Sequence, residues 1–169
     1  MKSFKSFLVE SNLQVFSVGK VLNILPVGTE LKKFCNDNID LIISKEDCGW
    51  MDGGCFSLAT AFKMWLGSHA QLEGVVREKN DTLDHVVVKV AGVYLDADGV
   101  ATKEDLLGKI RVIELVDTPL SIRPLKPKEE HELLPPNQSV ASEMASKLER
   151  RFGSPEKFVA RLKKELSQK

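Results

Sequence analysis

The chain has 169 residues, and its composition, 43% hydrophobic and 28% charged, is that of an ordinary globular protein. Its 24 basic and 24 acidic residues balance, which gives no reason to expect binding to nucleic acid. No apolar run has the length of a membrane span, and 3 cysteines do not make a disulfide framework. We therefore expect free thiols, a cytoplasmic location and no membrane partner.

The chain divides into three parts that together predict an α+β fold. Residues 1–20 form a short N-terminal segment, residues 21–127 a mixed core, and residues 128–169 a linker with a C-terminal helical tail. The charged and proline-rich stretch "RPLKPKEEHELLPP" separates the core from the tail.

The first half of the core is predicted to be helical. The stretch "TELKKFCNDNIDLIISKED" is typical of helix, with a break near Asn36. The stretch from Gly54 to Leu66 is also predicted to be a helix, and Gly67 is placed to end it. Its apolar residues recur at helical spacing: Phe56, Ala59, Phe62 and Leu66.

The second half of the core is predicted to be mostly sheet. Four runs rich in β-branched residues predict strands: "LEGVVRE", "HVVVKV", "VYLDA" and "RVIELVD". Ala91 and Gly92 suggest a tight hairpin between the second and third of these strands. Before the fourth, "ATKEDLLGKI" carries Thr102 and Asp105 in a capping pattern and predicts a short helix.

The tail is predicted to form two helices. The first runs from about Ser139 to Arg151 and ends before Gly153, whereas the second has Ser154 as its cap and Pro155 at its first position. We expect their apolar stripes to pack on the core or on each other: Val140, Met144 and Leu148, and Phe158, Leu162 and Leu166.

Cys55 follows two glycines at the predicted start of a helix, a position that suits a nucleophile. A free thiol is mostly protonated at neutral pH, and both a helix N-terminus and a nearby imidazolium lower its pKa. Gly53 and Gly54 permit a sharp turn and leave the sulfur uncrowded. The backbone N–H groups of Cys55 and Phe56 are then natural donors to an oxyanion.

A base for this thiol has to come from one of 3 histidines. His69 and His131 lie in polar loop sequences and are expected at the surface. His85 opens the β-branched strand "HVVVKV", where an imidazole can be both fixed and reachable. We therefore expect His85 to be the partner of the cysteine.

The hairpin register brings acidic groups to the same face as His85. If Ala91 and Gly92 form a two-residue turn, His85, Asp96 and Asp98 lie on one side of the sheet. The other side is apolar, with its valines facing other apolar residues. Either aspartate could hold the imidazole in the correct tautomer, and the register leaves both open.

Three segments, "GGCFSLATAF", "HVVVKV" and "YLDADG", resemble in this order the papain-like cysteine hydrolase superfamily, in particular its transglutaminase-like and small phage or bacterial branches. The resemblance implies a papain-like arrangement, in which a helix with the cysteine at its N-terminus packs on an antiparallel sheet. It implies that Cys55 is the nucleophile, His85 the general base and Asp96 the orienting acid, with Asp98 in reserve. Substrates would be proteins or peptide-like molecules. Gly49 stands where papain has a glutamine for its oxyanion hole.

Two other interpretations fit the sequence less well. Arylamine N-acetyltransferases also carry a glycine pair before their cysteine, but Asp52 replaces the arginine that precedes it there. Cys48, Cys55 and His85 could supply zinc ligands, but no C-x-x-C or H-x-x-x-H spacing supports a zinc site. We expect no metal and no cofactor, and we expect Cys35, in a helical stretch, to be structural.

The first residues, "MKSFKSFLVES", resemble the N-terminal targeting peptides of internal head proteins in T-even-type phages. Those peptides begin Met-Lys and are cut after a glutamate that has an aliphatic residue two positions earlier. Leu8 and Glu10 match this pattern, so residues 1–10 would be removed and Ser11 would start the mature protein. The resemblance implies packaging in a phage head, with a head or host protein as partner. The alternative is an amphipathic helix that docks on its own domain.

Two functional hypotheses follow. The first is a cysteine-dependent acyl-transfer enzyme that hydrolyses an amide, isopeptide or thioester bond with a Cys55–His85–Asp96 triad. The alternative is a non-catalytic phage internal or interaction protein that binds a host or virion component. The N-terminal segment and the helical tail favour this alternative.

Overall fold

The computed structural model describes residues 25–126 and 135–168, which form an α+β fold with a five-stranded antiparallel sheet. The predicted N-terminal segment, with its targeting peptide, lies outside the described residues, as do residues 127–134 of the predicted linker. In the ranges that are described, no helix is both long enough and apolar enough to span a lipid bilayer.

The described residues contain six α-helices and five β-strands. The helices are α1 (Pro26–Asp37), α2 (Asp40–Glu46), α3 (Cys55–Leu66), α4 (Lys103–Ile113), α5 (Gln138–Phe152) and α6 (Pro155–Leu166). The strands are β1 (Gln71–Arg77), β2 (Thr82–Val90), β3 (Val93–Asp96), β4 (Gly99–Ala101) and β5 (Leu120–Pro124). The sheet order is β4-β3-β2-β1-β5, and each pair of neighbours is antiparallel.

The predicted hairpin is confirmed. Ala91 and Gly92 form the turn, and Val90 pairs with Val93. Both turn residues have positive φ, 51° and 85°, which matches the twist of the flanking strands and favours glycine at the second position. The turn chemistry therefore sets the β2–β3 register.

Helices cover both faces of the sheet. One face packs against α3 through the apolar residues predicted to share it: Val86, Val88, Val90, Val93, Leu95 and Ala97. On the other face, Val87 and Tyr94 are buried against Leu106 and Ile110 of α4. The face that carries His85 is therefore covered by a helix rather than open to solvent.

The prediction of a strand at "RVIELVD" is wrong, because this stretch ends helix α4 and continues into the loop that follows it. Thr102 caps α4, and Leu106 and Ile110 place a buried residue on each successive turn. This helical burial outweighs the β-propensity of Val112, which is 64% exposed. The last strand is instead Leu120–Pro124, which pairs with β1.

The tail helices are confirmed, and their apolar stripes pack on the core. Trp65 of α3 donates a hydrogen bond from Nε1 to the carbonyl of Gly153, 2.9 Å away. The ring of Phe158 lies 4.7 Å from that of Trp65, centroid to centroid. The Ser57 hydroxyl, also in α3, accepts a 2.9 Å hydrogen bond from the N–H of Asn137.

Helix α6 also holds the start of α1. No side chain from the cap residue satisfies the first N–H groups of α1, but the carboxylate of Glu165 accepts from Val27 N–H at 3.0 Å. Arg161, one turn earlier in α6, forms an ion pair with Glu30 at 2.7 Å. The tail is thus part of the same core as the sheet.

We expect Phe158→Ala to lower the free energy of unfolding by about 3–5 kcal/mol, because the ring is 1% exposed and leaves a cavity between α6 and α3. Leu115→Ala is the matched control, since Leu115 is 89% exposed and its truncation should change stability by less than about 0.5 kcal/mol. Urea unfolding followed by circular dichroism measures both. Equal midpoints for the two variants would contradict the packing of α6 on α3.

Candidate active site

The chain turns sharply just before Cys55, at the first residue of α3. Gly53 has φ of 137°, in the region that favours glycine, and Gly54 donates its N–H to the carbonyl of Gly49 at 2.9 Å. A β-carbon on Gly54 would lie 2.7 Å from that carbonyl oxygen, so only glycine fits. No side chain caps α3 and no acidic residue lies in its first turn, so the positive end of the helix dipole acts on Cys55.

Two backbone N–H groups face the sulfur of Cys55. The β2–β3 ladder ends at the Val88–Leu95 pair, and the N–H of Val86, beyond that end, contacts the sulfur instead. The N–H of Phe56 does the same. Sequence reasoning assigned the Phe56 N–H to an oxyanion, and in the structure this N–H lies next to the Cys55 sulfur.

A β-bulge places the imidazole of His85. The register between β1 and β2 shifts between Val75 and Val76, which leaves Asp84 as an extra residue directly before His85. Bulges of this kind re-aim side chains. Arg77 fixes the bulge, because its Nε lies 3.0 and 2.9 Å from the two carboxylate oxygens of Asp84.

Asp96, rather than Asp98, lies beside His85. The distance between His85 Nε2 and Asp96 Oδ2 is 3.5 Å, and the two side chains are 3% and 5% exposed. The other carboxylate oxygen, Asp96 Oδ1, accepts from the N–H of Asp98 at 2.8 Å. The Asp98 carboxylate itself pairs with Lys32 at 2.9 Å and with Lys109 at 3.3 Å. Of the two aspartates that the register left open, Asp96 is the one that lies next to His85.

Cys55, His85 and Asp96 line one small pocket. Its remaining wall is apolar: Trp50, Leu58, Ala59, Val86, Leu95 and Ala97. Trp50 is held in place by a hydrogen bond of 2.9 Å from its Nε1 to the carbonyl of Cys35.

The electrostatics favour a thiolate next to an imidazolium. Burial opposes ionisation of Cys55, but the hydrogen bond and charge of His85 and the two facing N–H groups outweigh it and lower the thiol pKa. Burial also opposes the charge on His85, yet Asp96 and the Cys55 sulfur raise the imidazole pKa to about 9. Against its own burial, contacts with His85 and Lys109 hold the pKa of Asp96 well below its usual range.

The other two cysteines have thiols that are harder to ionise. Burial raises the pKa of Cys35, and the nearby Asp96 carboxylate adds to the effect. Burial raises the pKa of Cys48 as well, with a further contribution from Asp52. Cys55 is thus the one cysteine of the three whose environment promotes the thiolate.

The remaining candidate residues are not part of this cluster. His69 is half-exposed and lies 3.7 Å from Glu156, at the surface as predicted, and His131 lies outside the described residues. Across residues 25–126 and 135–168, no group of three or more His, Cys, Asp or Glu side chains is placed to hold a metal ion.

Sequence reasoning missed Lys109, which forms an ion pair with Asp96. The signal was its place in α4, three residues after Leu106 and one before Ile110, on the side of the helix that faces the sheet. A lysine on a buried helix face calls for a carboxylate partner. The predicted helix "ATKEDLLGKI" contains Lys109, but the sequence did not predict that this helix packs on the sheet.

Comparison of the chain with protein-family models, with curated protein sequences and with solved structures finds no match.

We expect Asp96→Asn to lower the pKa of His85 from about 9 towards the ordinary histidine value of 6.5, because a neutral amide no longer stabilises the imidazolium. NMR titration of the imidazole protons measures this pKa directly. Asp98→Asn, which removes the same charge two residues away, should change it far less. An unchanged His85 pKa in Asp96→Asn would show that the two side chains do not interact in solution.

Proposed function

We propose that this protein is a cysteine-dependent acyl-transfer enzyme that hydrolyses an amide, isopeptide or thioester bond. The observation that carries the proposal is the shared pocket of Cys55, His85 and Asp96, with the cysteine at a helix N-terminus and the imidazole between sulfur and carboxylate. This is the order of roles that nucleophilic catalysis by cysteine requires.

In the proposed reaction, the Cys55 proton passes to the imidazole of His85, and the thiolate attacks the substrate carbonyl carbon to form a C–S bond. The carbonyl oxygen becomes an oxyanion, for which the N–H of Cys55 is the donor in the first turn of α3. As the oxyanion collapses, His85 returns its proton to the leaving amine or thiol and an acyl-enzyme remains. Water, deprotonated by His85, then releases the acid and restores the thiol.

Asp96 has the supporting role in this scheme. Its carboxylate lies 3.5 Å from Nε2 of the imidazole, which leaves Nδ1 as the ring nitrogen for the sulfur. Because the carboxylate is buried, its charge acts on His85 with little screening from solvent. Its contribution is the orientation of His85 and the stability of the imidazolium.

Two observations favoured the non-catalytic alternative, and the fold accounts for one of them, the helical tail. The apolar stripes of the tail helices are used within the fold, since residues such as Met144, Leu148 and Leu162 are buried in the core. The other observation concerns the N-terminal segment, which lies outside the described residues. The enzyme is therefore the function that we propose.

The test is the rate at which iodoacetamide alkylates Cys55 across pH, with the occupancy of each cysteine read by mass spectrometry. The ordinary thiol pKa is about 8.5, and the reactive species is the thiolate. We therefore expect rapid labelling of Cys55 at pH values well below this pKa. In His85→Ala, rapid labelling should require a pH above about 8.5. Cys35 and Cys48 serve as internal controls, because their raised pKa values keep both slow in this range.

A labelling rate for Cys55 that rises only near the ordinary thiol pKa, and equally in His85→Ala, would overturn the proposal. If Cys55 is labelled rapidly in a way that depends on His85, peptide amides, isopeptides and thioesters are then supplied as substrates. Mass spectrometry of the protein detects an acyl group on Cys55. Cys55→Ser should retain the fold and lose turnover, since an alcohol is far less ionised than a thiol at neutral pH.

A further inference from the structure

Lys109 of α4 bridges Asp96, the last residue of β3, and Asp98, two residues further on. Its Nζ forms an ion pair with Asp96 Oδ2, the oxygen that faces His85, and lies 3.3 Å from Asp98 Oδ2. The side chain is 20% exposed, so the ammonium group sits at the edge of the buried cluster. Lys109 is therefore in contact with the carboxylate that orients the imidazole.

The turn that presents these aspartates is tightly held. Gly99 has φ of 101°, and a β-carbon on it would lie 2.3 Å from the carbonyl oxygen of Gly28 in α1. The N–H of Asp98 holds Asp96 Oδ1, and Lys32 of α1 holds Asp98 from outside. The Asp96 carboxylate therefore has little freedom to move away from Lys109.

A count of charges gives Lys109 a role. With Lys109 charged and Asp96 ionised, the buried cluster is neutral both as thiol with imidazole and as thiolate with imidazolium. Without the ammonium group, the cluster is neutral only when the imidazolium is balanced by Asp96 and the thiol of Cys55 keeps its proton. Forming the thiolate would then leave one uncompensated buried charge, which is unfavourable.

We propose that Lys109 is a positioning residue, which neutralises Asp96 and thereby leaves the charge of the His85 imidazolium available to stabilise the Cys55 thiolate. This inference rests on the proposed function, because it assigns a role within the same triad. Lys109 acts through Asp96 and His85 and does not touch the sulfur.

Other ionisable groups also face this cluster, and none of them replaces Lys109. Cys35 of α1 and Cys48 before α3 both have raised pKa values and remain neutral thiols. Lys32 contacts Asp98 and is 46% exposed. The charge of Asp84, beside His85 in β2, is taken up by Arg77.

The experiment is the pH profile of Cys55 alkylation in Lys109→Met, which keeps the length of the side chain and removes its charge. We expect the midpoint of thiolate formation to move up by about one pH unit, which makes labelling about tenfold slower below the midpoint. Lys109→Arg keeps the charge and should retain the wild-type profile. Lys32→Met is the matched control, because among the described residues this lysine pairs with Asp98 and not with Asp96, and its profile should also stay unchanged.

The outcomes separate this inference from the proposed function. If the wild type lacks fast labelling that depends on His85, the proposed function fails and the role of Lys109 fails with it. If the wild type shows this fast labelling and the pH profile of Lys109→Met is the same as the wild-type profile, only the role of Lys109 is wrong. An equal shift in Lys32→Met would also overturn it, since any nearby charge would then suffice. Should Lys109→Met not fold, Lys109→Gln, which keeps a hydrogen-bond donor towards Asp96, replaces it in the same comparison.

Discussion

The candidate site depends on one feature of the sheet, the separation of β2 from β3 beyond the Val88–Leu95 pair. Up to that pair, the backbone groups of the two strands satisfy one another. Beyond it, the N–H of Val86 needs another partner, because buried backbone donors are almost always paired. The sulfur of Cys55, at the start of α3, takes that place. A ladder two residues longer would have paired Val86 with β3 and closed the space that the sulfur occupies.

The same opening gathers ionisable groups that are costly to bury singly. His85 and Asp96 are almost fully buried, and a lone charge on either would be unfavourable. Grouping them with Cys55 and Lys109 lets charges of opposite sign compensate within a few ångströms. The polar cluster is thus tolerated inside an apolar pocket, and its members constrain one another's protonation.

The parts of this structure that local signals determine could be predicted from the sequence. The glycines before Cys55 and the Ala91–Gly92 turn located the helix start and the hairpin register, and with them the sheet face that His85 shares with Asp96 and Asp98. The parts that depend on tertiary packing could not. Burial under the sheet decides that "RVIELVD" ends a helix, and β4 is a strand only because the chain pairs back on β3. Lys109 belongs to the site for the same reason.

The hydrogen bond between Val27 and Glu165 joins residues that are 138 positions apart. A contact of such sequence separation closes a long loop of the chain, which costs conformational entropy. Helix α1 carries the Cys35 carbonyl that holds Trp50, one wall of the pocket. The wall beside the nucleophile is therefore linked through α1 to α6, the helix that holds the start of α1.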